Sequence, residues 1–305
     1  MKDFPDLFAE FANARGYHLR ENTIVWYYNM VCPYYKWVQV QPDEPDWTLV
    51  TTIESYLTDC KKRGLADATI ASIRRGLSGF FAWLCDRQYL SANPVLATVK
   101  PSKHRKMKTI ITYPEFKRFF DSIPSDDWVG LRDRCILEIL FFSGLRAGEV
   151  LRLKREHMDL QELVIFVEDG KGGHDRLVAC SPKLPELMHE YLKLRPRWND
   201  STLFLSADGQ KNIRGYMTLS GLRQMLIRRA DFAVLPYRCP KTYRHSYATN
   251  FLGVGVRLSS LSKMMGHVDE RTTRIYGDHL IEDLVEEYVN AYYALLHKQP
   301  RRKMH

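Results

Sequence analysis

Four short segments beyond residue 140 contain the residues best suited to chemistry on a phosphate group. They read GLRAGEV at 144–150, GKGGHDR at 170–176, KTYRHS at 241–246 and GHVDERTTRIY at 266–276. Their candidate catalytic residues are five potential cations and one phenol, Arg146, Lys171, Lys241, Arg244, His267 and Tyr276. Cations around one phosphate, with a hydroxyl able to attack it, indicate the cutting and rejoining of a nucleic-acid backbone. Nothing in the segments resembles a metal cage, so we expect neither a metal nor another cofactor.

The two arginines are the side chains best matched to a phosphodiester. Attack on phosphorus adds negative charge to its oxygens, and fixed cations must compensate that charge. A guanidinium donates two parallel hydrogen bonds to a phosphate and stays charged at any working pH. Arg146 precedes a predicted helix, AGEVLRLK, whose first backbone N–H groups would add further donors. Glu149, three residues later, is either a surface ion-pair partner or the group that fixes this guanidinium.

The two lysines each allow an ordinary and a functional interpretation. Lys241 and Arg244 are three residues apart in a predicted helix, so both can point at one anion, although such pairs are also common on solvated surfaces. Lys171 lies between glycines at the tip of a predicted hairpin. A lysine there is either a surface residue or a donor of the proton that the departing 5′ oxygen needs.

His267 and Tyr276 are nine residues apart in the last segment. A tyrosine hydroxyl has an ordinary pKa near 10, so as a nucleophile it needs neighbouring positive charge and a proton acceptor. The chain has 17 tyrosines, most of which should be packing residues, and the choice of Tyr276 depends on the segment that contains it.

Composition predicts a globular chain that associates with a polyanion. A length of 305 residues with 45% hydrophobic content is enough for about two domains. The formal net charge is +9, which fits DNA, RNA or an acidic membrane surface. Residues 1–100 hold 11 basic and 11 acidic residues, so the whole excess lies beyond them.

A basic linker is predicted where the two parts of the chain meet. The stretch KPSKHRKMK at 100–108 has five Lys or Arg residues and no apolar pattern. It is either a solvated charge run or a set of phosphate contacts. The candidate DNA-binding residues are Lys100, Lys103, Arg105, Lys106 and Lys108.

Cysteine usage and the N-terminus point to a reducing compartment. The six cysteines are never closer than 25 residues, so no zinc or redox motif is formed, and we expect small buried thiols. The first residues lack the layout of a secretory signal, and no apolar run is long enough to cross a bilayer. We therefore expect a cytoplasmic protein without a membrane partner.

The apolar pattern predicts a mainly α fold with a small β-sheet. Three- and four-residue spacing predicts helices at 23–38, 48–65, 68–90, 113–123 and 128–144. The predicted buried stripe of the third helix is Ile70, Ile73, Leu77, Phe80, Phe81 and Leu84. The runs LVIFVED and RLVACS predict strands on either side of GKGG, and residues 183–305 are expected to be helical. An amphipathic helix at 281–296 would pack either on its own domain or on a neighbouring protomer.

The four segments, in this order, resemble those of the tyrosine recombinase (phage-integrase) family. SGLRAGEVLRLKREHMDL is similar to the first arginine box of the family, TYRHSYATNFL to its second, and MMGHVDERTTRIYGDH to its histidine and nucleophile box. GKGGHDR matches the position of the catalytic lysine. The resemblance covers roughly 112–295, and 1–100 is similar to the helical core-binding domain.

This resemblance implies an architecture. It comprises a SAM-like helical core-binding domain at 1–99, a basic linker at 100–111 and an α/β catalytic domain at 112–305. A C-terminal exchange helix at about 281–296 would pass between protomers. The two domains would form a C-shaped clamp around DNA, as in the two-domain recombinases that are Xer-like or encoded by transposons and phages.

The resemblance also implies a reaction and its partners. Tyr276 would attack the scissile phosphate and leave a 3′-phosphotyrosine and a free 5′-hydroxyl, and two such rounds through a Holliday junction would complete strand exchange. The partners would be double-stranded recombination sites, a homotetramer on paired sites and accessory directionality factors. The setting would be a bacterial, archaeal or phage-host cytoplasm, with nucleoid association during activity. Integration, excision, or resolution of a mobile element or replicon dimer all fit.

One position departs from the family pattern. The family usually has His three residues before the second arginine, whereas this chain has Lys241, as type IB topoisomerases of the poxvirus kind do. An ammonium is a poor proton acceptor, so His267 would donate to the phosphate and the acceptor of the tyrosine proton stays unassigned. Two alternatives follow. One is a DNA-relaxing type IB topoisomerase, and the other is a non-catalytic DNA-binding member, which the complete set of usable residues disfavours.

Overall fold

The protein is described by a computed structural model over residues 3–43, 45–101, 109–168, 175–198, 201–266 and 279–297. The chain divides into two units, Met1–Lys106 and Met107–His305. Both are mainly helical, and the second also holds two small sheets, which confirms the predicted fold class. Within these described ranges, no helix is long and apolar enough to cross a membrane.

The first unit packs its helices around an aromatic core. Its helices are α1 Phe4–Gly16, α2 Glu21–Gln39, α3 Val50–Lys62 and α4 Asp67–Asp86, followed by a 3₁₀ turn at Pro94–Ala97. All six residues of the predicted α4 stripe are buried, and the Phe80 ring contacts those of Phe4, Phe8, Phe11 and Trp83. Buried Arg74 on α4 donates to the carbonyls of Val95 and Thr98. This contact fixes the last residues before the basic stretch.

The second unit is built around one buried helix. Its helices are α5 Tyr113–Asp121, α6 Trp128–Phe142, α7 Ala147–Leu151, α8 Leu184–Leu194, α9 Leu219–Phe232, α10 Pro240–Leu252, α11 Leu258–Met265 and α12 His279–His297. In α6, 13 of the 15 residues are buried, which is the pattern of a helix surrounded by other elements. The Asp127 carboxylate caps α6 by accepting from the N–H groups of Val129 and Gly130. Burial of α6 on all sides fixes the point at which the following loop begins.

Two antiparallel sheets complete the second unit. The strands are β1 Met158–Asp159, β2 Val164–Val167, β3 Arg176–Ala179, β4 Leu205–Ala207 and β5 Ile213–Tyr216. One sheet has the order β1-β2-β3, with Ile165 opposite Val178 and both buried, and β4 pairs with β5. The β2–β3 pair is the predicted hairpin, and β3 begins at Arg176.

The C-terminal helix packs on its own unit. Tyr288 is fully buried, its hydroxyl donates to the Phe142 carbonyl at 2.8 Å, and its ring stacks on Phe251. Tyr292 and Leu295, from the predicted apolar stripe, are buried in the same core. In this conformation the buried residues of α12 pack against α6, α10 and β3 of the same chain.

Three expectations were wrong in detail. Residues 183–305 are not all helical, because β4 and β5 form a hairpin whose Asp208 carboxylate accepts from the N–H groups of Gln210 and Asn212. The helix after Arg146 ends at Leu151, well short of the predicted AGEVLRLK. Cys239 is exposed, whereas small buried thiols were expected.

Candidate active site around Glu149

The first arginine segment begins with a turn that a side chain would block. After α6 ends, Gly144 adopts a φ of +62°, and a Cβ there would lie 2.3 Å from the Tyr247 ring. Leu145 is fully buried and anchors the turn. Arg146 is the N-cap of α7, so its backbone leaves the turn at a fixed angle. The arginine is positioned by local constraints that include a glycine with no available substitute.

Glu149 is the hub of the site, by which we mean the carboxylate on which its arginines converge. Its side chain is 1% exposed, and its carboxylate accepts from the backbone N–H and one guanidinium nitrogen of Arg146, both at 2.7 Å. It also accepts from Arg176 Nη1 at 3.1 Å and Nη2 at 2.8 Å. Burial raises the pKa of Glu149, but the hydrogen bonds from Arg176 and Arg146 outweigh it and lower the pKa to about 2. The hub is therefore an ionised carboxylate at any physiological pH.

Arg176 is a member of this cluster that the sequence did not single out. It is the first residue of β3, and its side chain is 10% exposed. Besides the two bonds to Glu149, its Nε donates to the Met264 carbonyl at 3.0 Å. The available signal was its place at the end of GKGGHDR, but its partners lie 27 and 88 residues away. Sequence spacing gives no hint of pairs at that separation.

Arg244 joins the same cluster from α10. Its Nη1 donates to the Gly144 carbonyl and its Nη2 to the Met265 carbonyl, both at 2.6 Å, and Nη1 lies 3.9 Å from Glu149 Oε2. Burial and then the charge of Arg146 lower the pKa of Arg244 to about 10. The guanidinium thus stays charged near neutral pH in spite of the neighbouring cations.

The remaining predicted site residues fall into two groups. Lys241 lies in the first turn of α10 and is exposed, unlike buried Arg244 three residues later, and Lys100 is exposed at the end of the first unit. The others lie outside the residues that the structure describes, and they are Lys171, His267, Tyr276, Lys103, Arg105, Lys106 and Lys108. Of the predicted catalytic residues that the structure describes, Arg146 and Arg244 therefore converge on Glu149, and Lys241 is an exposed residue of the helix that holds Arg244.

The cluster carries more positive than negative charge. Among the described residues, three guanidinium groups surround one carboxylate, which leaves two positive charges over a few ångströms. Mutual repulsion of buried cations is relieved when an anion binds between them. Arg146 is the most accessible of the three, with 28% of its side chain exposed. The arrangement is suited to holding an anion such as a phosphate at its exposed side.

Both parts of the chain match known protein families. Residues 110–282 match the phage integrase family, and residues 7–90 match the phage integrase N-terminal SAM-like domain. Tyrosine recombinase XerC of Pelotomaculum thermopropionicum is 30% identical over 231 residues, covering 72% of this chain and 74% of the relative. Tyrosine recombinase XerD of Listeria innocua is 26% identical over 248 residues, covering 76% and 79%.

Solved structures share the fold. The Tn1549 transposon integrase in complex with circular intermediate DNA superimposes with a TM-score of 0.68 at 18% identity, covering 96% of this chain and 98% of that one. A lambda integrase dimer bound to a COC′ core site gives a TM-score of 0.68 at 14% identity, covering 90% and 98%. At such identities the likeness shows the fold alone. With the match over 110–282, however, the chain belongs to the phage integrase family, the tyrosine recombinases.

Proposed function

We propose that this chain is a site-specific DNA recombinase in which Tyr276 is the nucleophile and the Glu149-centred cluster binds the scissile phosphate. Tyrosine recombinases break and rejoin DNA, and the XerC and XerD relatives belong to that class. The observation that supports the assignment is the convergence of Arg146 and Arg244, 98 residues apart in sequence, on one buried carboxylate. Isolated surface arginines would have no reason to share such a hub.

The proposed reaction is a transesterification. The Tyr276 oxygen attacks phosphorus and gives up its proton, the bond from phosphorus to the 5′ oxygen breaks, and Lys171 gives that oxygen a proton. Arg146, Arg244 and His267 donate to the non-bridging oxygens while charge accumulates there. A 5′-hydroxyl from a partner duplex then attacks the phosphotyrosine, which restores the phenol and closes the new strand.

Lys241 supplies a further donor to the phosphate in this proposal. It is exposed in the first turn of α10, where its flexible side chain can bring the ammonium, a compact point charge, to a phosphate oxygen. Lysine at this position is the feature that favours a type IB topoisomerase, but the relatives do not favour that alternative, since those reported above are tyrosine recombinases. Replacing Lys241 with His should be tolerated if it acts only as a donor.

The partners and setting are part of the same proposal. The partner would be double-stranded DNA that carries paired recombination sites, bound by a homotetramer in the cytoplasm, with directionality factors where the reaction is one-way. The proposed domains are 1–99, which binds the core site, a linker at 100–111 and the catalytic domain at 112–305. Exchange of the helix at about 281–296 would require a neighbouring protomer to cover Tyr288 and Tyr292 as this chain does now.

Trapping of covalent adducts tests the proposed chemistry. The protein is incubated with a pool of nicked duplexes, on which the cleaved fragment diffuses away, and the DNA attached to protein is recovered and sequenced. We expect an adduct with one enriched sequence, and no adduct with Tyr276→Phe. An adduct that persists in Tyr276→Phe would remove this residue as nucleophile. No adduct from wild type would contradict cleavage itself.

Strand exchange separates a recombinase from a topoisomerase. Two duplexes that carry the enriched sequence and different labels are mixed with the protein, and a supercoiled plasmid without that sequence is included as a control. A recombinase should join the labels and leave the plasmid supercoiled. Relaxed plasmid without joined labels would replace the proposal with the topoisomerase alternative.

A further inference from the structure

We propose that Arg176 is a positioning residue for strand cleavage, which holds the Glu149 carboxylate and the carboxyl end of α11 in one arrangement. The inference rests on the proposed function, because it assigns a role within that reaction. Nothing in the proposed chemistry uses Arg176, although it makes more contacts in the cluster than Arg146 does. The contacts themselves indicate which role it has.

The donors of Arg176 are directed at protein acceptors. Nη1 and Nη2 form a fork on the two oxygens of Glu149, and Nε is bound to the Met264 carbonyl. The side chain is 10% exposed, against 28% for Arg146 and 11% for Arg244, so burial alone does not distinguish it from Arg244. What distinguishes Arg176 is that two of its nitrogens bind a buried carboxylate that needs their charge, which leaves this guanidinium little to offer a phosphate. Arg176 is therefore placed to orient groups and not to bind the substrate.

The groups that it orients come from three separate segments. Glu149 fixes both the backbone and the side chain of Arg146. Met264 and Met265 present consecutive carbonyls at the end of α11, one to Arg176 and the other to Arg244. Arg176 thereby couples the turn of the first arginine, the helix of the second and the end of α11.

Close packing at the end of α11 supports this role. The helix ends at Gly266, which has a left-handed φ of +63°. A Cβ at this glycine would lie 3.1 Å from Cδ and 3.2 Å from Nε of Arg176. His267 follows directly in the sequence. The Arg176 side chain thus packs directly against the backbone that ends α11.

Loss of Arg176 would release the hub. The Glu149 carboxylate would keep its bonds to Arg146 but lose the fork that offsets its burial. Arg244 Nη1 already lies 3.9 Å from Oε2, so it is the nearest replacement partner. Recruiting Arg244 would draw it away from the Gly144 and Met265 carbonyls and from the phosphate.

The test compares three variants on the nicked duplex recovered by trapping. Arg176→Met removes the fork, and Arg176→Lys keeps a charge without it. Arg132→Met is the matched control, since Arg132 is another buried arginine of the same unit that binds Asp133 and the Leu205 carbonyl away from this cluster. Adduct formation is measured at saturating DNA from pH 5 to 9, per folded molecule, with the thermal midpoint of each variant recorded.

We expect Arg176→Met to cleave roughly 100-fold more slowly than wild type, the size of effect that a misplacement of about 1 Å produces. Its rate should also fall at low pH beyond any fall that wild type shows. The groups that face Glu149 within the described residues are Arg146, Arg176 and Arg244, and removing one of them raises the pKa of this acid. Arg176→Lys should show the same fall in cleavage rate, but at a lower pH. Adding Glu149→Gln to Arg176→Met should abolish the fall at low pH.

The control defines the outcomes that would overturn the inference. Arg132→Met should lose stability yet show the pH profile of wild type. An Arg176→Met protein that cleaves within twofold of wild type, or loses cleavage equally at every pH, would reduce Arg176 to a structural residue. Wild type that forms no adduct would contradict the proposed function instead. The two failures are therefore distinguishable.

Discussion

Among the buried carboxylates of the second unit, Glu138 and Glu149 lie eleven residues apart and behave in opposite ways. Counted as whole residues, Glu138 on α6 is 2% exposed and Glu149 on α7 is 3% exposed. Burial raises the pKa of Glu138 to about 7, because a hydrogen bond from Ser181 and the charge of Lys183 compensate only in part. Glu149 is held near 2 by guanidinium groups. Equal burial therefore gives a carboxyl that titrates near neutrality in one place and a permanent anion in the other.

The difference separates a packing residue from an organising one. Glu138 accepts from Ser181 Oγ at 2.5 Å. It also lies close enough to α12 for its charge to add to burial in raising the pKa of Tyr288 and of Tyr292. A neutral carboxyl can form that bond without any cation. An anion at Glu149 must instead be matched by several fixed cations, and two of those cations, Arg146 and Arg244, bind the phosphate in the proposed reaction. The negative charge of Glu149 thus requires the positive charges of the arginines around it.

The largest expected effect comes from removing a cation beside Glu149. Arg244→Ala should lower the cleavage rate by about 100- to 1000-fold, since it deletes a donor aimed at the charge that develops on phosphorus. DNA affinity should change little, because most phosphate contacts are made elsewhere. Adduct formation and a gel-shift assay on the same duplex provide the measurement.

The matched control for that experiment is the cation beside the other carboxylate. Lys183 is exposed and lies near Glu138, so Lys183→Ala removes a positive charge from the same unit without touching the cluster. Cleavage by Lys183→Ala should stay near the wild-type rate. Equal losses in the two variants would mean that net charge, and not the position of Arg244, controls cleavage.

The contrast between the two carboxylates also shows which features can be predicted from the sequence. The Arg146–Glu149 pair is three residues apart and is visible as a possible ion pair in the sequence. The α4 stripe, the β2–β3 hairpin and most helices follow from apolar spacing and are present in the structure. These features depend on neighbours within one element or one turn.

Other features depend on contacts that spacing does not encode. Arg176 was missed because its acceptors, Glu149 and the Met264 carbonyl, come from other segments. The β4–β5 hairpin was missed because strands of three and four residues show too little alternation to outweigh the helical pattern around them. Burial of Glu138 with a serine hydroxyl as its hydrogen-bond donor is likewise invisible in a sequence, because glutamate on a helix usually faces water.

The next largest expected effect is the difference in cleavage rate between variants of the two carboxylates. Glu149→Gln should lower cleavage by roughly 10- to 100-fold, because an amide cannot hold two guanidinium groups as an anion does. Glu138→Gln keeps the acceptor for Ser181 and should leave cleavage unchanged. Both variants are measured on the trapped duplex under saturating conditions. Cleavage losses of similar size would show that the loss in Glu149→Gln does not come from removing the negative charge beside the arginines.

The smallest effect concerns the dependence of stability on pH. Because the folded pKa of Glu138 is above the ordinary value of 4.5, the folded state holds a proton that the unfolded chain releases, and stability falls as pH rises from about 4.5 to about 7. Glu149 has the opposite sign, with a folded pKa near 2, so its contribution is complete above about 4.5 and is lost only as pH falls towards 2. Between pH 5 and 8 only Glu138 of this pair should contribute a slope.

Glu138→Gln should remove that slope. At pH 5 the variant and wild type should have nearly the same free energy of unfolding, whereas at pH 8 the variant should be more stable by about 1–3 kcal/mol, since it avoids a buried charge. Denaturant titrations at the two pH values give the difference, and other titrating groups cancel because both proteins contain them. A stability difference that is independent of pH would show that Glu138 is ionised in the folded protein throughout this range. The contrast with Glu149 would then depend on geometry and not on charge.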